Sequence, residues 1–160
     1  MISSESDAIG PARLANVDDA PRIAHLLHDF NCEFDTPSPG VDFLTERLTA
    51  LLASPTTLAI IVGSQAVAVG LVTLRSNVWY VGAVALLDEL YVQPALRNLG
   101  IGSTIMEYLL AEATASRIEL IEINVDIGDV DARRFYERHG FSAIEPTTNE
   151  FAIYYQRELI

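Results

Sequence analysis

The stretch Leu96–Leu110, LRNLGIGSTIMEYLL, places Gly100 and Gly102 at the head of an apolar run, with Arg97 just before them. From Ile101 the apolar residues recur every four positions, at Ile105, Leu109 and Ala113, with Met106 and Leu110 beside them. That period predicts a helix, buried along one face, running to about Arg117. Upstream, AVALLDELYV (83–92) reads as a long strand that Pro94 ends. Strand, glycine-bearing turn and helix in this order point backbone N–H groups at an anion, a phosphate for example. Two nucleotide loops are excluded. A dinucleotide fingerprint needs a third Gly or Ala where Ile105 stands, directly after a strand, yet Gln93–Arg97 intervene. A Walker loop needs Gly-Lys-Ser/Thr, and the chain contains no lysine.

Working outward, residues 12–17 read as a short strand and NVDDAPRIAHLLHDFNCEF (16–34) as a helix with Ile23, Leu26, Leu27 and Phe30 on one face. Asn16 or Asp18 suits its cap. DTPSPG (35–40) interrupts, and VDFLTERLTALLAS (41–54) is a second helix. TTLAIIV (56–62) and AVAVGLVTLR (66–75) read as hairpin strands across GSQ. IELIEINVD (118–126) is a further strand, DVDARRFYERHG (129–140) a short helix, and FSAI and EFAIYYQREL close the chain as strands. The order β-α-α-β-β-β-α-β-α-β-β predicts an α/β or α+β fold with a mixed sheet in one domain, 1–160.

Half of the 160 residues are apolar, enough for a sizeable core. No apolar run approaches the ~20 residues of a membrane span, and the acidic start MISSESDAIG lacks the features of a secretory signal. The expectation is a cytoplasmic protein that does not act on a membrane. Cys32 is the only cysteine, which permits no internal disulfide and no multi-cysteine metal site; no metal is expected. A formal charge of −12 argues against nucleic acid as a partner and suits a cationic one.

RNLGIG after DELYVQP resembles the pyrophosphate loop of the GCN5-related N-acetyltransferase (GNAT) superfamily, Arg/Gln-x-x-Gly-x-Gly/Ala. About 35 residues on, DARRFYERHGF (131–141) resembles that family's Ala-x-x-Phe-Tyr-x-x-x-Gly-Phe segment. The resemblance implies an acyl-CoA N-acyltransferase fold: a mixed, mostly antiparallel central sheet, splayed between the fourth and fifth strands and flanked by about four helices. It implies acetyl-CoA as cosubstrate, with its pyrophosphate on the backbone of Arg97, Asn98, Leu99, Gly100, Ile101, Gly102 and Ser103. Leu99 stands where the family often carries a basic residue, which leaves the task to backbone donors. The pantetheine arm would pair with Leu90, Tyr91 and Val92 like an added strand, and an N–H near Val92 would polarise the thioester carbonyl. Asp129 falls where relatives place an asparagine on pantetheine, and Arg133 lies within reach of the cofactor phosphates or at the surface.

Acetyl transfer to an amine needs a base for the ammonium and an acid for the departing thiolate. The resemblance assigns these roles to Glu89 and Tyr136. Strand alternation sets Asp88 and Glu89 on opposite faces, so that only one meets the cleft. The acceptor side would be built by the first two helices, with Asp29, Glu33 and Asp35 attracting a cation and Trp79 forming a wall. FNCEFDTPSP and NVDIGDVDARRFYERHG are similar to pieces of the aminoglycoside 3-N-acetyltransferases in this superfamily. The expected acceptor is a small amine such as an aminoglycoside or polyamine. A peptide N-acetyltransferase and a non-catalytic acyl-CoA-binding or sensing domain are the alternatives, and relatives' habits add a homodimer.

Overall fold

Arg13 grips Asp19 through two guanidinium nitrogens, at 2.8 and 2.7 Å. Asn16 accepts from the amide of Asp18, and Asp19 accepts from the amide of Asn16, so the turn Val17–Asp19 is capped reciprocally. The computed structural model describes residues 9–160. It contains strands β1 (Ala12–Leu14), β2 (Thr57–Val62), β3 (Ala68–Asn77), β4 (Tyr80–Val92) and β5 (Ile118–Ile123). Helices α1 (Ala20–Glu33), α2 (Val41–Leu52), α3 (Ile101–Ala115) and α4 (Val130–Arg138) complete it. The chain forms two compact units, the first ending at Ile123 and the second spanning Asn124–Ile160.

In the first unit the sheet order is β1-β2-β3-β4-β5. The first four strands are antiparallel neighbours, and β5 joins β4 in parallel after the α3 crossover. Alternation divides the sheet cleanly. Ala59, Ile61, Val69 and Tyr91 pack with Ile23, Leu26 and Leu48 from α1 and α2. The intervening positions Gly70, Leu87 and Leu90 turn to the other face, where Ile105 of α3 lies. Both helix faces match the apolar periods read from the sequence.

Gly70 fixes how closely α3 approaches. A Cβ there would stand 2.8 Å from Ile105 Cγ2, and Ile105 is fully buried. Gly70→Ala is therefore expected to cost about 1–3 kcal/mol through overpacking, read as a lower Tm or an earlier urea midpoint.

In the second unit the two closing strands expected from FSAI and EFAIYYQREL do not form. A single isolated bridge joins Ile144 to Phe151, across a turn in which Glu145 accepts from the amides of Thr147 and Thr148 at 2.7 and 2.8 Å. Phe151, Ile153, Tyr154, Tyr155 and Leu159 are exposed. Alternating apolar residues show which side of a strand is fit for burial, but a ladder also needs a partner edge. Here the two segments pair only with each other, at that bridge and two flanking backbone hydrogen bonds, from the Glu145 amide to the Glu150 carbonyl at 2.8 Å and from the Ala152 amide to the Ala143 carbonyl at 2.9 Å. The other differences are boundaries: β1 stops at Leu14, β5 stops at Ile123, and β3 and β4 extend to Asn77 and Tyr80.

Candidate active site

The turn after β4 is built by two left-handed residues. Pro94–Leu96 forms one 3-10 turn and Arg97 is extended, at φ −71° and ψ 159°. Asn98 then takes φ 62° and Gly100 φ 82°. Asn and Gly are the residue types that tolerate this region. Gly100 is the N-cap of α3 and contributes no side-chain cap, so the amides of Ile101 and Gly102 open the helix without an acceptor on a preceding turn. The carbonyl of Gly100 is engaged instead, by the amide and hydroxyl of Thr104 at 3.0 and 3.2 Å. Nothing lies within 4 Å of where a Cβ of Gly100 would be, so the approach is open. Leu99 and Ser103 flank these donors. A diphosphate fits this arrangement: backbone donors at a positive helix end, with no side chain across them.

Beside the turn the sheet parts. The β4–β5 pairing runs from Ala83↔Ile118 to Leu87↔Ile123, while β4 continues to Val92. Gln93 donates its amide to Val67 at 3.1 Å, on the β3 side. Strand alternation therefore turns the amides of Leu90 and Val92 the other way, toward the side that β5 leaves unpaired. The backbone at Leu90 and Val92 thus offers the edge that an extended, amide-bearing chain can pair with.

Glu89 sits at a bulge that the sequence did not reveal. Leu71 pairs with Glu89 but Val72 pairs with Leu87, which leaves Asp88 as the extra residue. Because Leu71 and Thr73 share a face, and Thr73 pairs with Leu86, the bulge carries Glu89 onto the face of Leu86. Asp88 reaches the same face and accepts from the Thr73 hydroxyl at 2.5 Å. The expectation of opposite faces for Asp88 and Glu89 is thereby corrected: alternation fails where the register slips by one. Glu89 faces the α1/α2 side with Tyr91. Burial, and secondarily the neighbouring charge of Asp88, push its carboxyl above the usual range.

Arg97 and Glu33 meet, 64 residues apart in sequence. Two guanidinium nitrogens donate to the two Glu33 oxygens at 2.6 and 2.8 Å, and Arg97 Nε donates to the Val92 carbonyl at 3.0 Å. The guanidinium lies 5.4 Å from the centre of the Tyr91 ring, which stacks on Phe30 at 5.0 Å. The Arg97 hydrogen bonds hold the Glu33 carboxyl below the usual range, and the neighbouring Tyr91 phenol lowers it further. Asp29 lies one turn earlier on α1 and is exposed, close enough to Tyr91 to raise its pKa after burial and Glu33 have done so. Asp35 follows the helix, also exposed. Trp79 does not join them. It is 85% exposed at the β3–β4 hairpin, about 30 Å from Glu89 at ~3.3 Å per strand residue.

In the second unit, Asp129 caps α4, accepting from the amide of Ala132 at 3.0 Å. Arg133 donates to the Ile127 carbonyl at 3.1 Å, bracing the preceding loop. The half-buried Tyr136 ring sits against Phe135 and Phe141, with centroids 5.2 and 6.0 Å away. Among the described residues no group of three or more His, Cys, Asp or Glu is set to hold a metal, and no helix is long and apolar enough to cross a membrane.

A family model, the acetyltransferase (GNAT) family, matches residues 21–141. The chain belongs to the GNAT family. This GNAT chain is an N-acetyltransferase of a family that uses acetyl-CoA as cosubstrate. It is 43% identical to a candidate acetyltransferase from Arthrobacter sp. FB24, with 95% of this chain and 97% of that one covered and a TM-score of 0.88. An aminoglycoside acetyltransferase from an uncultured soil metagenomic sample, crystallised with sisomicin, shares the GNAT fold at 18% identity, with coverage of 96% and 99% and a TM-score of 0.77. A ribosomal-protein-alanine N-acetyltransferase from Brucella melitensis biovar Abortus 2308 shares it at 20% identity, with coverage of 92% and 98% and a TM-score of 0.73. No curated protein matches. Two acceptor classes so different on one GNAT frame mean that the frame alone selects neither.

Proposed function

We propose that the protein transfers the acetyl group of acetyl-CoA to a primary amine of a small cationic acceptor, by direct attack in a ternary complex. The observation that carries this reading is Glu89: a desolvated carboxyl three residues from Val92, whose amide faces the unpaired gap of the sheet. The amides after Gly100 hold the diphosphate, and Leu90 and Val92 pair with the arm. Glu89 takes a proton from the acceptor ammonium, directly or through one water, so that the neutral amine attacks the thioester carbonyl; the nitrogen of the new C–N bond sheds its second proton to solvent as the tetrahedral intermediate collapses. Tyr136 returns a proton to the sulfur as the C–S bond breaks, a role resting on its motif. Asp129 and Arg133 act from the same motif by shaping the start of α4.

The acceptor assignment rests on charge. With Glu33 committed to Arg97, Asp29 and Asp35 remain exposed at the end of α1, in a chain of net charge −12. The fold shared with an aminoglycoside acetyltransferase makes polycationic amines the first class to try. Thiol release from acetyl-CoA, measured with aminoglycosides, polyamines, amino acids and peptides with free N-termini, tests the proposal. Turnover with aminoglycosides or polyamines is expected. Turnover confined to peptides would move the reading to a peptide N-acetyltransferase, and coenzyme A binding without any turnover would leave a sensing domain.

A further inference from the structure

We propose that Glu33 and Arg97 are positioning residues: their ion pair locks the last turn of α1 to the turn that receives the coenzyme, so Glu33 serves the coenzyme and does not bind the amine. The inference rests on the coenzyme reading above and assigns new work to two residues that the sequence placed elsewhere, one on the acceptor and one on the diphosphate.

Three of the five guanidinium donors of Arg97 are already used. Two meet Glu33 as a fork and the third holds the Val92 carbonyl. Arg97 thus reaches back across five residues to β4, while Asn98 immediately turns left-handed. The side chain fixes where the chain leaves the strand and therefore where the amides after Gly100 point. It fixes Val92 as well, the residue whose own amide faces the gap. Tyr91, 4% exposed, anchors the pair from beneath by its ring, 5.4 Å from the guanidinium and itself stacked on Phe30 of α1. An ordinary surface ion pair contributes little; these side chains are 28% and 37% exposed, but the fork, the carbonyl and the ring hold them in one geometry. The charge of Arg97 is balanced before any phosphate arrives, so the diphosphate is left to backbone donors. Asp29 shares the helix face of Glu33, which makes one rigid link between the acceptor-side helix and the coenzyme turn.

Coenzyme A affinity by calorimetry, on the full chain and without turnover, is compared for wild type, Glu33→Gln, Arg97→Gln and the double variant. Each single change is expected to weaken coenzyme A about tenfold, and the double change to cost no more than the worse single one. Arg97→Lys should not rescue, since an ammonium cannot make the fork and hold Val92 together. In turnover, the KM for acetyl-CoA should rise and the KM for the amine should stay. A raised amine KM in Glu33→Gln with unchanged coenzyme A affinity would overturn the proposal. So would additive losses, or tighter coenzyme A binding in Glu33→Gln, which would show a freed arginine acting as a phosphate ligand. If wild type binds no coenzyme A, the coenzyme reading itself fails. Hydrogen exchange at amides 98–102 then decides the lock: equally faster exchange in both single variants supports it, and unchanged exchange overturns it.

Discussion

Glu89→Gln is expected to lower kcat by roughly 10²- to 10⁴-fold, the usual worth of a positioned general base, and to raise Tm at neutral pH. The two effects share one cause. Burial and the charge of Asp88 raise the Glu89 carboxyl pKa in the folded chain. A carboxyl so shifted binds its proton more tightly when folded than when unfolded. Stability therefore falls as pH rises from the ordinary glutamate range through the folded value, and at neutral pH the ionised group is a burden. Glutamine removes that burden, so the gain in Tm should grow as pH rises above the ordinary glutamate range and vanish below about pH 4, where both states carry the proton. In wild type the acidic limb of the kcat profile should lie above that of an ordinary glutamate, and in the variant it should flatten. Asp88→Asn should move the limb down, because the neighbouring charge is gone. A limb that stays in place in both variants would remove Glu89 as the base.

The bulge that makes this carboxyl useful is written in no local pattern. DELYV reads as plain alternation, and the slip at Asp88 exists only in register with Leu71 and Val72 of another strand. The α3 helix was legible because its buried face repeats within its own sequence, at Ile101, Ile105 and Leu109. The glycine turn was legible because left-handed backbone restricts residue type; Gly100 has the conformation its identity suggests, and Asn98 shares it. The Glu33–Arg97 pair was not legible. Either charge reads as a ligand group when seen alone, and only the fold brings α1 to the end of β4. Trp79 and the closing strands fail for a related reason. Aromatic and alternating residues show what could be buried, and the partner surface that would bury them is not in the local sequence.

Tyr136→Phe is expected to lower kcat about 100-fold while coenzyme A affinity stays within about twofold of wild type. The change removes one oxygen and keeps the ring that packs on Phe135 and Phe141, in a helix whose start is set by Asp129. A loss in kcat without a loss in affinity marks an interaction made only in the transition state. Tm of the variant separates this from damaged packing. The decisive comparison uses a second acetyl thioester whose thiol is more acidic. A better leaving group needs less of a proton as the C–S bond breaks, so the penalty of the variant should shrink with that donor. Equal penalties with both donors would mean that the phenol does not protonate sulfur. Replacing Glu89 should cost the same with either thioester, because its proton comes from the amine. The two variants therefore respond differently to one change of substrate, and that difference assigns acid and base independently.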